Sequence, residues 1–236
     1  MAQFHYSAEI VDRFSNIRGG VIHATGVANT PASASLQEAF EGEQETVRRR
    51  VGDTPPSEIA SLAAWRSVFS AFGVKPTQYR NAAEALLRRL SKQGRVPSIN
   101  TLVDIANLVS LRYQLPVAVF DQESVTGATT VRFASGTERF TDLGSDSITC
   151  PEPGEVVFVD DAGVVSARRW CWRQSTQSAA GSSTTEALIT VEAQHSDSDS
   201  EILRATDDLV GLLSEHQPEA RLTSAFLSPN SPEFKP

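Results

Sequence analysis

The order of apolar patterns along the chain predicts an α+β fold, in which helices pack on a mostly antiparallel β-sheet. Apolar residues at helical spacing cluster in the first half of the chain, and short runs of β-branched or aromatic residues follow in the second half. Two early strand candidates would join the halves. The chain has 236 residues, 40% of them hydrophobic, which suffices for one domain of generous size with a substantial core.

The first half begins with strand signals and continues with helix signals. Two short strands separated by a polar turn are predicted at AEIVD and GGVIHATGV. Three amphipathic helices are predicted next, at SASLQEAFEGEQETVRRRVG, SEIASLAAWRSVFSAFG and NAAEALLRRLSKQG. In the last of these, Asn81 and Glu84 form a capping-box pattern. A further helix beginning near Asn100 is apolar on nearly every side, which predicts that it is buried.

The second half is predicted to be rich in β-structure. Short runs separated by Gly- and Asp-rich turns predict strands at VAVFD, TTVRFA, EVVFVD, VVSARRWCW and EALITVEA. The segment VDDAGVV indicates a hairpin between two of them. Residues 1–193 are therefore predicted as the main domain, and residues 194–236 as a polar linker, an amphipathic helix and a mobile tail.

The charge is unevenly distributed. The net charge of −8 argues against broad nucleic-acid binding, yet residues 48–95 carry ten basic residues against three acidic ones. This segment is either a local basic face that docks a polyanion or a set of solvated helix faces. No apolar run is long enough to span a membrane and the N-terminus lacks a secretory layout, so we expect a cytoplasmic protein without a membrane partner.

Several common catalytic motifs are absent from the sequence. It contains no GxSxG, HExxH or GxGxxG and no Gly-rich phosphate loop, and its four histidines are scattered. The two cysteines lack metal-ligand spacing. We therefore expect no metal and no other cofactor, and Cys171 is interpreted as a core residue rather than a nucleophile.

The apolar helix near Asn100 carries two polar residues, Asp104 and Asn107, which are three positions apart and share a face. Buried polar groups need hydrogen-bond partners. Asp104 is interpreted as an organiser that bonds loop backbone groups, because a buried carboxylate needs such donors. Of the two, Asn107 is the one expected to contact a ligand or water.

The strand candidate ARRWCWRQSTQS carries the second polar cluster. Alternation along a strand would place Trp170 and Trp172 on one face, as a platform for a planar or amino-acid ligand. The alternative is an aromatic core with arginine stems packed across it. Thr184 or Thr185, at the head of the following strand, would either present a hydroxyl to a pocket or form a turn.

Residue identities add a family resemblance. SINTLVDIANLVSLRYQLPVAVFDQESVTGATTVRFA resembles the stretch of the phenylalanyl-tRNA synthetase β subunit that runs from a Val-Asp-x-x-Asn helix into a Leu-x-Gln-Pro-x-His-Ala-Phe-Asp strand. KPTQYRNAAEALLRR, PEPGEVVFVDDAGVVSARRWCWRQS and TTEALITVEA are similar to free-standing members of the same B-three/B-four tRNA-binding (editing) domain family. The matches extend over about residues 10 to 193 in consistent order. The resemblance implies an editing-domain-like α+β fold, with a pocket between the helices and the sheet.

The resemblance also implies a function: a stand-alone deacylase that acts in trans on aminoacyl-tRNA and hydrolyses the ester of a wrong amino acid. The alternative is a non-catalytic binder of an amino acid, an aminoacyl-tRNA or a protein partner. The residues expected to act in catalysis are Asn107, Gln174, Thr184 and Thr185. Those expected to bind the substrate are Arg80, Asp104, Trp170, Trp172, Arg173 and Ser175. Those expected to contact tRNA are Arg48, Arg49, Arg50, Lys75, Arg88, Arg89 and Lys92.

Two departures from the synthetase pattern limit which residue roles can be transferred from the synthetase to this chain. Ala118 stands where the synthetase stretch has its histidine, and Trp170 to Arg173 replace a Gly-rich pocket wall. A protein base would therefore be a carboxylate such as Asp104 or Glu155, unless a positioned water and the ribose hydroxyl of the substrate suffice. The amino acid, the tRNA and the oligomeric state stay open.

Overall fold

The computed structural model describes residues 3–236. Within this range the chain forms six α-helices: α1 (Ala8–Arg13), α2 (Ala34–Val51), α3 (Ala60–Ala71), α4 (Ala82–Gln93), α5 (Thr101–Tyr113) and α6 (Asp199–His216). The first six strands are β1 (Gln3–Tyr6), β2 (Arg18–Thr25), β3 (Val117–Asp121), β4 (Ala128–Phe133), β5 (Phe140–Thr141) and β6 (Ile148–Thr149). The others are β7 (Val156–Val159), β8 (Val165–Arg168), β9 (Arg173–Gln174), β10 (Glu186–Ala193), β11 (Arg221–Leu227) and β12 (Glu233–Phe234).

The strands form two main sheets and one short hairpin. The six-stranded sheet has the order β12-β1-β4-β7-β8-β9, with β1 and β4 parallel and the other neighbours antiparallel. The four-stranded sheet has the order β11-β2-β10-β3 and is antiparallel throughout. β5 pairs with β6. The predicted α+β fold with mostly antiparallel strands is confirmed, as is the hairpin between β7 and β8.

Two hydrophobic cores lie on opposite faces of the four-stranded sheet. Alternate residues of β10, such as Ile189 and Val191, face a core that is shared with α2, α4, α5 and α6. Leu188 faces the other core, which is shared with the six-stranded sheet and with α1 and α3. Since side chains alternate along a strand, Thr190 and Glu192 lie on the same face as Leu188. Thr190 and Glu192, on this second face, contribute to the candidate site.

The predicted strand at AEIVD is wrong, because residues 8–13 form α1. Ile10 and Phe14 are both buried, and their four-residue spacing is that of one helix face. A five-residue segment with one buried aliphatic side chain satisfies either period, so the sequence pattern could not decide between them.

The predicted mobile tail is also wrong. α6 packs on β2, β10 and α5, β11 pairs along β2 from Arg221 to Leu227, and β12 pairs with β1. The residues after 193 therefore complete both sheets instead of forming an appendage. Without β11 and β12, the strands β2 and β1 would each expose an unpaired edge. None of the helices in residues 3–236 combines the length and apolar character needed to cross a membrane.

Candidate active site

A cavity of about 330 Å³ lies beside β3, one of the two edge strands of the four-stranded sheet. It is walled by α4 and α5 on one side and by β3, β8, β10 and the β8–β9 turn on the others. Most of its lining is apolar. The polar or ionisable side chains in the lining are those of Arg89, Asn107, Cys171, Arg173, Gln174, Thr190 and Glu192. A concave, mostly apolar site with a few polar groups is typical of small-ligand binding.

The turn between β8 and β9 shapes one wall of this cavity. Arg169 and Trp170 both adopt positive φ angles, 46° and 60°, which L-residues with large side chains rarely do. The turn is fastened at two points: the Trp170 N–H donates to the Val156 carbonyl at 2.6 Å, and the Ala82 N–H donates to the Cys171 carbonyl at 2.8 Å. The second bond joins the turn to the first residue of α4. Strain of this kind persists where surrounding structure enforces it, often at functional sites.

Because of this turn, the two tryptophans do not form the predicted platform. The predicted strand VVSARRWCW ends at Arg168, so the alternation that would align Trp170 with Trp172 is lost. Trp170 is fully buried and packs edge-on against Trp65, with the ring centroids 5.2 Å apart. Trp172 is half-buried in the cavity wall. The guanidinium of Arg169 lies 4.7 Å from the Trp172 ring centroid. The aromatic-core alternative therefore describes Trp170.

Asp104 and Asn107 have different surroundings although they share a helix. Asp104 is fully buried, and its carboxylate accepts hydrogen bonds from the Ser98 hydroxyl and from the Ile99 N–H, the latter at 2.8 Å. Burial raises the pKa of Asp104, while these hydrogen bonds act in the opposite direction. Asp104 thus organises the loop before α5, away from the cavity lining. Asn107 lines the cavity, and its amide bonds no other group within residues 3–236.

Gln174 and Arg173 also line the cavity. The Gln174 amide nitrogen donates to the carbonyl of Val119 at 2.6 Å and to that of Ser178 at 3.0 Å. These two bonds fix the side-chain amide against the edge of β3. The Arg173 guanidinium pairs with Asp142 near the surface, where both side chains are more than 40% exposed. An arginine held this way is accessible to a ligand at the mouth of the cavity.

Four other predicted site residues lie outside the cavity lining. Ser175 is fully buried, and its hydroxyl accepts a bond from a nearby backbone N–H. The Thr184 hydroxyl donates to Asp121 and accepts from the Gly181 N–H. Thr185 is exposed at the other side of the strand head. Arg80 donates to a loop carbonyl that precedes α4. The structure does not bring these residues to Asn107 and Gln174.

The cavity contains an acidic residue that the sequence analysis did not single out. Glu192 is 2% exposed, and its Oε1 accepts hydrogen bonds from the Tyr6 hydroxyl at 2.8 Å and from Trp170 Nε1 at 3.0 Å. Its Oε2 accepts no hydrogen bond within residues 3–236. Burial raises the pKa of Glu192 to about 7, although the bonds from Trp170 and Tyr6 act to lower it. This carboxyl group can therefore gain or lose a proton near neutral pH.

The other candidates for proton transfer are less suited to it. Glu155 is buried and paired with Arg168 and Arg169, both at 2.8 Å, outside the cavity lining. Burial, followed by the nearby charge of Glu192, raises the pKa of the Cys171 thiol well above its usual value. A thiol that keeps its proton is a weak nucleophile. Among the described residues, Glu192 is the acid that lines the cavity.

A sequence signal for Glu192 existed in EALITVEA. Strand alternation places Glu192 on the face of Thr190 and Leu188, inside a strand that is otherwise apolar. An acidic residue in a strand that is buried on both faces needs partners or a function. Its donors come from Tyr6 and Trp170, which are distant in the sequence, so the pairing itself was not visible there.

A family model described as the B3/4 domain matches residues 64–211. The chain belongs to the B3/4 domain family. Two similar proteins are phenylalanine–tRNA ligase beta subunits: that of Fusobacterium nucleatum is 31% identical over 105 residues and that of Shewanella oneidensis 30% identical over 89 residues. These alignments cover 44% and 38% of this chain but only 13% and 11% of the two subunits.

A solved structure with a similar arrangement is the N-terminal fragment of the phenylalanyl-tRNA synthetase beta subunit from Pyrococcus horikoshii. The TM-score is 0.49 at 12% identity, over 94% of this chain and 50% of that chain. The segment matched by the family model, 64–211, contains every residue that lines the cavity. Tyr6, which bonds the cavity carboxylate of this B3/4 domain protein, lies outside that segment.

The basic residues at the end of α2 have mostly local partners. Arg48 and Arg49 lie 3.2 and 3.9 Å from Glu45 of the same helix. Arg50 donates to two backbone carbonyls at the end of α5. All three are at the surface. Exposed pairs of this kind are weak, so a polyanion could displace the carboxylate.

The basic residues of α4 lie beside those of α2, across two shallow grooves. Arg88 and Lys92 line one groove, and the end of α2 lines both. Arg88 also approaches the fully buried Glu84 at 3.9 Å. Arg89, on the other side of α4, lines the cavity. Lys75 is exposed in the loop before α4. Helix α4 thus connects a basic surface to the cavity.

Proposed function

We propose that this protein is a stand-alone aminoacyl-tRNA deacylase that hydrolyses the ester of mischarged tRNA in trans. The observation that carries the proposal is the cavity, which combines apolar walls with an unbonded Asn107 amide and an unbonded oxygen of the Glu192 carboxylate. A volume of about 330 Å³ is at the small end of ligand sites, which suits an aminoacyl group.

The position of α4 supports tRNA as the carrier of that group. Arg89 lines the cavity, while Arg88 and Lys92 lie on the side of α4 that faces α2. A polyanion bound along the basic surface would place its end close to the cavity mouth. The family and the two relatives named as phenylalanine–tRNA ligase subunits favour tRNA over other polyanions.

In the proposed reaction, water attacks the ester carbonyl carbon and the bond from that carbon to the ribose oxygen breaks. The Glu192 carboxylate accepts a proton from the attacking water and then donates it to the ribose oxygen as that oxygen leaves, which returns Glu192 to its charged form. Asn107 and the fixed Gln174 amide orient the aminoacyl group. A carboxyl group with a pKa of about 7 is matched to this task at neutral pH.

The direct test is incubation of the protein with a panel of tRNAs, each charged with a labelled wrong amino acid. We expect release of the label from at least one of them. Glu192→Gln should lower that rate by roughly 10²- to 10⁴-fold, the usual contribution of general acid–base catalysis. Glu215→Gln, on an exposed carboxylate of α6, is the matched control and should leave the rate unchanged.

The outcomes separate the possible mechanisms. Release that is insensitive to Glu192→Gln would assign proton transfer to the ribose hydroxyl of the substrate rather than to the protein. Unchanged rates in both Asn107→Ala and Gln174→Ala would remove these two residues from the site. Release from none of the tRNAs would reject the deacylase and favour a non-catalytic binder, which filter binding of the same tRNAs would then detect.

A further inference from the structure

The cavity carboxylate is held by groups from outside its own sheet. Tyr6 comes from β1 of the six-stranded sheet, and Trp170 comes from the β8–β9 turn. Both donate to the same atom, Oε1 of Glu192, at 2.8 and 3.0 Å. Two donors on one oxygen restrict rotation of the carboxyl group and leave the second oxygen to the cavity.

Gly19 makes the Tyr6 contact possible. It lies on β2 directly opposite Glu192 in the antiparallel register. A Cβ atom at position 19 would be 2.4 Å from the Tyr6 hydroxyl oxygen, closer than any real contact. The phenol therefore occupies the space that a side chain at position 19 would fill. The absence of a side chain at position 19 thus lets Tyr6 of β1 reach Glu192 across β2.

We propose that Tyr6, seated over Gly19, is a positioning residue for the cavity. Together with Trp170 it fixes Oε1 of Glu192, so that Oε2 is presented to the bound group as a hydrogen-bond acceptor. That the bound group is an aminoacyl ester rests on the proposed function. The positioning of the carboxylate is a property of the free protein and can be tested without a substrate.

The groups around Glu192 allow its titration to be followed separately. Tyr6 from β1 and Cys171 from the turn face it, and Arg89 from α4 and Arg173 from β9 line the same cavity. Burial, followed by the charge of Glu192, raises the pKa of Tyr6 well above its usual value. Tyr6 and Cys171 therefore keep their protons while Glu192 titrates, and Tyr6 remains a donor throughout.

The experiment is a pH titration of the full chain labelled with carbon-13 at the glutamate side-chain carboxyl, followed by NMR. The resonance of Glu192 is the one missing in Glu192→Gln. We expect a midpoint near 7 in the unmodified protein. Tyr6→Phe should raise the midpoint by roughly one pH unit, because one of two hydrogen bonds that stabilise the charged form is lost.

Two matched variants control for general effects. Tyr113→Phe removes a tyrosine–carboxylate bond of 2.9 Å to Asp208, outside the cavity, and should leave the Glu192 midpoint unchanged. Gly19→Ala should raise the midpoint as Tyr6→Phe does, by displacing the phenol. Gly20→Ala is the control for it: this substitution is even more crowded, but against Thr206 of α6 and the side chain of Val191 instead of the phenol, and should not move the midpoint.

An unchanged midpoint in Tyr6→Phe, or an equal rise in Tyr113→Phe, would overturn the proposal. If the deacylase activity is found, the pH at half-maximal rate should rise in Tyr6→Phe in parallel with the NMR midpoint. If no tRNA is deacylated, the proposed function fails, while the NMR comparison still decides whether Tyr6 positions Glu192.

Discussion

Replacement of Glu192 by glutamine should change how the stability of the protein depends on pH. The pKa of Glu192 is about 7 in the folded protein, against an ordinary value of 4.5 in the unfolded chain. A raised pKa of an acid means that the unfolded chain ionises first, so the folded state loses relative stability as pH rises. The loss accumulates between about pH 4.5 and about pH 7 and is constant above that.

The size of this effect follows from the two pKa values. Their difference, converted at roughly 1.4 kcal/mol per pH unit, gives a loss of about 3 kcal/mol in the free energy of unfolding. The side chain is almost fully buried, so solvent screening reduces this figure little. Glutamine cannot ionise, so Glu192→Gln should lack this contribution while keeping a similar shape.

Urea unfolding at pH 4.5 and at pH 8, on both proteins, measures the effect. The quantity to compare is the change in unfolding free energy between the two pH values, since any constant difference between Glu and Gln then cancels. We expect a fall that is about 3 kcal/mol larger for the unmodified protein. Parallel pH dependence of the two proteins would refute the reasoning, because it would mean that Glu192 titrates normally in the folded state.

Three further predictions concern the framework of the site and its basic surface. Asp104→Asn should lower the free energy of unfolding by about 2 kcal/mol, because the amide replaces one of two carboxylate oxygens that accept bonds from the loop; equal urea midpoints would contradict this. Glu84→Ala should cost roughly 2 kcal/mol in the same assay, because the buried carboxylate lies near three arginines that are only partly exposed; an unchanged midpoint would show that solvent replaces it fully. If tRNA binds as proposed, Arg49→Gln and Lys92→Gln should each reduce the slope of log affinity against log salt concentration by about one. Arg221→Gln, on β11, is the control and should leave this slope unchanged. Equal slopes in all variants would show that the tRNA binds another surface.

Much of the fold was predictable because its elements are long and strongly patterned. The helices α2, α4 and α5 and the strands β3, β7 and β10 lie where the periodicity places them. The helix start at Asn81 has the expected side-chain cap. Asn100, near which a helix was expected to begin, also caps its helix, by accepting from the Val103 N–H. The short segment 8–13 and the tail after residue 216 were not predicted correctly, because their structure depends on the partners they pair with.

The residues of the candidate site also fall into two groups: those that local sequence patterns predict and those that depend on tertiary contacts. Sequence patterns favoured an organising role for Asp104, since a buried carboxylate needs hydrogen-bond donors, and the Ile99 N–H, five residues away, is one of them in the structure. They also placed Asn107 on the same helix face, whereas the expectation that Gln174 acts at a pocket came from the family resemblance. The positions of Asp104 and Asn107 are short-range consequences of helix geometry.

Only the tertiary structure decided which acid lies in the cavity. Glu192 meets Tyr6, which is 186 positions away, through the pairing of β2 with β10 and the packing of one sheet on the other. The burial that raises its pKa is produced by the same packing. The positive φ angles at Arg169 and Trp170, which separate the two tryptophans, likewise depend on bonds to β7 and α4. Burial and long-range pairing are properties of the assembled core, so local sequence patterns do not contain them.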